Sequence, residues 1–106
     1  MCIGVPLQVM SVEEHHAWCE ADGQRERLDM ALVGPQPPGT WVLGFQGAAR
    51  HVLGAQEAAQ ARAGRRALAA VLGGGSDVDA FFADLVGRTP ELPEHLRPAA
   101  VEKTTP

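Results

Sequence analysis

The spacing of apolar and polar residues changes character near residue 54. Before it, apolar positions come in short runs and alternations; after it, they recur at threes and fours. Val5 to Val12 is apolar or β-tolerant without a helix-length stripe, which predicts a first strand, with Glu13-Glu14-His15 as the turn that follows. His16 to Ala21 predicts a second strand, with Trp18 on one face and Ala17 and Cys19 on the other. Asp22-Gly23 is a hairpin signal, because glycine accepts the positive φ of a tight turn. Gln24 to Val33 alternates, Arg25, Arg27 and Asp29 opposing Glu26, Leu28, Met30 and Leu32, and predicts a third, half-buried strand. Gly34-Pro35-Gln36-Pro37-Pro38-Gly39 must be a loop. Thr40 to Gln46 restarts as a strand, and Ala48 to Leu53 either continues it or pairs with it after Gly47. Several short strands joined by hairpins in about fifty residues predict a small barrel, since closure removes exposed sheet edges.

The second half reads as helical. Ala55 to Leu72 is rich in Ala, Gln, Glu and Arg, all good helix formers. Ala59, Ala63, Ala67, Ala70 and Val71 fall on one face, with Leu68 and Leu72 at its edge. Arg62, Arg65 and Arg66 lie largely off that stripe and are expected on a solvated face. Gly64 weakens the middle by about 1 kcal/mol relative to alanine. Gly73-Gly74-Gly75 ends the helix and is not a phosphate loop, lacking the Lys-Ser/Thr and the preceding strand. Ser76 with Asp79 forms a capping pair that predicts a second helix over Asp77 to Val86, ended by Gly87. Val78, Phe81, Phe82 and Leu85 would line one of its faces, either against the barrel or against a partner, since a helix this short is not stable alone. Prolines at 90, 93 and 98 then predict an extended tail. The divisions are a barrel over 1–53, a helical extension over 54–87 and a Pro-rich tail over 88–106, in one domain.

Composition narrows the function. The chain has 106 residues, 45% of them hydrophobic, and a formal net charge of −4, enough for one modest core. The barrel half carries Arg25, Arg27 and Arg50 against twice as many acids. That makes nucleic acid an unexpected partner, since binding it rests on clustered Lys and Arg. No run is apolar for long enough to cross a bilayer, and no basic stretch leads into an apolar one at the N-terminus as in a secretory signal. A cytoplasmic protein with reduced thiols is the expectation. Cys2 and Cys19 lack zinc-site or Cys-x-x-Cys spacing, which argues against a redox pair, and Cys19 reads as a small buried strand residue. His15, His16, His51 and His95 are scattered, with no catalytic partner at a known spacing, so an enzyme is not expected.

The remaining chemistry sits at the start, Met1-Cys2-Ile3-Gly4-Val5-Pro6. Were Met1 removed, Cys2 would present an α-amine titrating near ~8 and a thiol near ~8.5, both able to bind a soft or borderline metal. Gly4 permits unusual backbone angles there and Pro6 stiffens the chain where the strand begins. This hexapeptide resembles the M-C-[IL]-[GA]-x-P start of the HypC/HupF family of [NiFe]-hydrogenase maturation factors. The resemblance continues through Leu32-Val33-Gly34 and Gly39-Thr40-Trp41-Val42-Leu43. Segments 77–85 and 91–97 look like the longer HupF/HoxL branch, so the likeness runs in order over roughly residues 1–98.

That resemblance implies an OB-like barrel and a non-enzymatic chaperone. Cys2, with Ile3, Gly4 and Pro6 around it, would carry an Fe(CN)2CO unit transiently, receiving it from a HypD-type scaffold and passing it to the hydrogenase large-subunit precursor. One departure stands out. The histidine of the Val-His-Val-Gly-Phe-Ala segment of HypC proper aligns with Phe45, which cannot ligate iron, and His51 is no substitute by alignment. The departure favours holding or shielding the precursor over direct delivery. Phe81, Phe82 and Leu85 are expected to extend the partner surface. The alternative in another class, an OB-fold oligonucleotide binder, would need a basic, aromatic strand face, and this chain is acidic with few aromatics.

Overall fold

The strand that begins beside the terminal motif is the one on which the sheet closes. The computed structural model describes residues 3–99. In it β1 (Val5–Val12) is long enough to serve two neighbours. Its first half, Val5 to Gln8, runs antiparallel to β4 (Trp41–Phe45), and its second half, from Gln8 onward, runs antiparallel to β2 (His16–Ala21). A bulge between Val9 and Ser11 bends the strand between these two duties. β2 pairs with β3 (Gln24–Asp29), and β4 pairs with β5 (Ala48–Leu53). A short parallel contact at Asp29 and Ala48 joins β3 to β5 and closes the barrel in the order β1-β2-β3-β5-β4. The Asp29 N–H donates to the Gly47 carbonyl at 2.9 Å across that seam.

Period two decides what goes inside. Leu7 and Val9 of β1, Ala17 and Cys19 of β2 and Leu28 of β3 are fully or almost fully buried, as are Val42 of β4 and Ala49 of β5. Trp18, between two buried neighbours, points outward. Gly44 is buried where a Cβ would stand 2.7 Å from Leu7 Cδ1 and 3.1 Å from Leu28 Cδ1. The missing side chain is therefore the room those two leucines occupy. Both tight hairpins carry two successive positive φ values, Asp22 at 49° with Gly23 at 80° and Gln46 at 51° with Gly47 at 77°, the type I′ geometry that matches strand twist.

The mainly β barrel with a helical C-terminal part stands as expected, and three details differ. β3 stops at Asp29 rather than running to Val33. The Asp29 carboxylate accepts the Ala31 N–H at 2.8 Å, and the Met30 carbonyl accepts from Val33 and Gly34, turning the chain as aspartate favours. Met30 stays in the core while Leu32 swings out. The helix α1 (Ala55–Leu72) has the expected bounds, but its buried residues are Ala58 and Ala67. Ala63 and Ala70 are half-buried and Ala59 is exposed. Val71 and Leu72 are exposed at 50% and 79%, because the helix runs past the barrel that would cover them.

The second helix is a single 3-10 turn, Asp79–Phe82. Ser76 makes no cap; the Asp77 carboxylate instead accepts the Asp79 N–H at 3.3 Å. With Asp77, Asp79 and Asp84 as poor helix formers and Gly87 close behind, a short segment cannot overcome the cost of helix nucleation. Phe81 and Phe82 are half-buried and Leu85 is exposed; the turn packs on α1, where Gln60 donates to Asp84 at 3.2 Å. Beyond it, among the described residues, the regular structure is a 3-10 turn at Glu94–Leu96. No helix among the described residues is long and apolar enough to cross a membrane.

Candidate functional site

Cys2 lies outside the described residues; its immediate support does not. Ile3 is exposed, and Gly4 is seated directly on Leu43 of β4: a Cβ at position 4 would stand 2.6 Å from Leu43 Cγ. Val5 pairs with Gly44, and Pro6, which is buried, pairs with Leu43. The motif thus leaves the barrel wall at a point fixed by backbone pairing and by one close contact that only glycine allows. Covalent geometry alone keeps position 2 within about 7 Å of Gly4.

Around this point the histidines do not gather, as their scatter in the sequence suggested. Leu43 pairs on its other side with His51, so His51 stands two strands from Pro6, about 10 Å away in the sheet, and is exposed. The register slips between Leu43 and Gly44, which makes Arg50 the extra residue of β5. Its guanidinium donates through Nε and Nη2 to the Phe45 carbonyl, each at 3.3 Å, and sits 5.8 Å from the Phe45 ring centroid. Phe45 thus has both its ring and its carbonyl engaged by one arginine. His15 and His16 lie at the β1–β2 turn, with His15 3.7 Å from Glu14 on the surface, and His95 sits in the distal 3-10 turn. No three His, Cys, Asp or Glu side chains among the described residues stand close enough to hold a metal ion.

Cys19 is a core residue. Burial, with Glu26 nearby, pushes its thiol from 9.0 up to about 11, so it is protonated at neutral pH and has no thiolate with which to react.

Of the α1 arginines, Arg62 is the one that the sequence reading misplaced: it is half-buried, whereas Arg65 and Arg66 are exposed as expected. Arg62 lies with its guanidinium carbon 5.3 Å from the Trp41 ring centroid and its Nη2 3.9 Å from Asp22 Oδ1. Together with Arg65 and Arg66 it forms one wall of a cleft of about 500 Å³ between α1 and the outer face of β1. Pro6, Gln8, Glu20 and Asp22 also line it, so the cleft begins beside the motif. The signal available beforehand was the i, i+3, i+4 spacing of the three arginines, which puts them on one helix face; nothing in it says that Trp41 lies beneath.

A closed five-stranded barrel whose first strand begins at a short N-terminal motif and is flanked by one helix is the class of protein defined here. The HupF/HypC family profile matches residues 1–64, which span the terminal motif, the whole barrel and the first part of α1. The hydrogenase expression/formation protein HupN of Azotobacter chroococcum mcd 1 is 46% identical over 98 residues, 92% of this chain and 90% of that one. HupF of Rhizobium leguminosarum bv. viciae is 44% identical over 97 residues, covering 92% and 98% of the two chains. HoxL of Azotobacter vinelandii is 43% identical over 98 residues, covering 92% of each. The chain belongs to the HupF/HypC family, and its likeness to HupN, HupF and HoxL extends well beyond the barrel.

Proposed function

We propose that this protein is a non-catalytic hydrogenase maturation factor that holds the large-subunit precursor through Cys2 while an Fe(CN)2CO unit is inserted. The observation that carries this reading is the match to proteins named for hydrogenase expression and formation over 92% of the chain, the terminal motif included. The iron unit is cargo, and a HypD-type scaffold is its proposed source. Transfer is a ligand exchange without redox change. The bond from iron to Cys2 sulfur breaks as one to a precursor cysteine forms; the precursor thiol gives up a proton and the freed Cys2 thiolate takes one.

The donor chemistry favours protection over delivery. With Phe45 where HypC proper has histidine, Cys2 is the one protein side-chain donor this reading assigns to the iron. A single thiolate holds iron less firmly than a thiolate–imidazole pair, and in a complex the precursor's own cysteines would complete the coordination. Cys2→Ala should abolish maturation while leaving the fold intact, as read by hydrogenase activity and by far-UV circular dichroism of the purified protein; normal activity would reject the role of Cys2. Deleting the protein should reduce hydrogenase activity more in air than at low oxygen. Equal, complete loss at both would establish obligatory delivery instead.

A further inference from the structure

The family reading assigns nothing to the arginine-walled cleft. We propose that it is a docking groove for an extended, carboxylate-bearing segment of a partner protein, gripped by Arg65 and Arg66 beside a pre-set Arg62. On the function proposed above, that partner is the large-subunit precursor.

Three features of the cleft select this occupant. Residues 62, 65 and 66 share one helix face, and their guanidinium groups have different duties. Arg62 is already committed, stacked on Trp41 and held near Asp22. Arg65 and Arg66 are exposed and, among the described residues, form no ion pair. Two unpaired guanidinium forks in a chain of net charge −4 are a local reversal of sign, and their planar geometry fits carboxylates.

The second feature is the acidic part of the lining. Glu20 and Asp22, the latter beside Arg62, also line the cleft and make it mixed in sign. They repel a polyanion such as nucleic acid but tolerate a segment with carboxylates along one side. Pro6, Met10 and Ala69 add apolar surface for the rest of such a segment.

The third is the sheet. β1 is already paired to β4 over its first half and to β2 over its second, and the cleft is lined by side chains of α1 as well as β1, so an incoming segment is recognised through side chains. Because Val5 and Pro6 line the cleft, a segment lying in it is led to the place where the motif leaves the barrel.

The test reads Trp41 emission in a Trp18→Phe background, Trp18 being outside the cleft. The probe is a blocked hexapeptide with two glutamates in an Ala/Leu sequence, and the control replaces both with glutamine. The acidic peptide should give a saturable change that weakens with salt. Affinity should fall by at least about tenfold for Arg65→Glu/Arg66→Glu and for the glutamine peptide. Both arginines are exposed, so the helix should persist by circular dichroism; Arg65→Gln/Arg66→Gln serves if reversal disturbs it. No saturable response, or equal responses from both peptides or from wild type and variant, overturns the groove. Capture of tagged precursor separates the two ideas. If wild type captures precursor and the reversed variant captures it equally, the groove is rejected and the function stands. If the acidic peptide binds but wild type captures no precursor, the groove stands and the proposed function falls.

Discussion

Gly4 bears a steric demand that its neighbours in the motif do not. A methyl group there would overlap the branched carbon of Leu43, which is half-buried between two paired strands and cannot simply rotate aside. Gly4→Val should cost about 1–3 kcal/mol and misdirect the segment carrying Cys2, lowering both the melting temperature and precursor capture. Leu43→Ala in the same chain should restore part of both, a coupling readable by a double-mutant cycle. Cys19 makes a contrasting case. Iodoacetamide at neutral pH should leave it unmodified until the protein unfolds. Its folded pKa lies above the unfolded one, so the folded state holds the proton more tightly. Its contribution to stability is complete below pH 9 and is lost as pH rises from 9.0 to about 11, which urea melts across that window would show. Cys19 was legible in the sequence from strand alternation. Arg62 was not, because its partner Trp41 belongs to an element with its own, unrelated period.

At the level of elements, the strands and tight turns followed local chemistry closely, since each was fixed by its own alternation and turn residues. β3 ended early for a reason also written locally, in Asp29, but alternation across Met30 and Leu32 masked it. The helix was legible in extent and not in facing: its sequence is alanine-rich on every side, so the barrel and the Asp79–Phe82 turn, rather than periodicity, decide which alanines are covered. Gly64 sits in the middle of α1 with open space where a Cβ would go. Gly64→Ala should therefore stabilise by about 0.5–1 kcal/mol, a rise of roughly 4–8 °C in melting temperature per kcal/mol for a domain of this size. A fall would mean that the glycine meets a constraint outside the helix.

For the molecule as a whole, the buried residues come from the strands, Met30 and, on α1, Ala58 and Ala67, with none among the described residues from 76 onward. A chain truncated after Gly75 should keep the barrel's β-signature and cooperative melting while exposing the flank of α1 that the Asp79–Phe82 turn covers. Weaker capture of the precursor by the truncated protein would assign the Phe81/Phe82/Leu85 segment to the partner surface. Loss of cooperative melting would assign it to the fold instead.

Closure of the barrel also settles how motion is shared between the motif and its support. The amides of Val5 and of Leu7 to Val9 lie in strand pairings with β4 and β2, Val9 donating to Thr40, and they open only as the ring does. In hydrogen exchange they should be among the slowest in the molecule, exchanging only through global opening, whereas the protection given by the ring stops at its first paired residue. From Val5 onward the family motif is thus built into a rigid mount that is as stable as the whole protein.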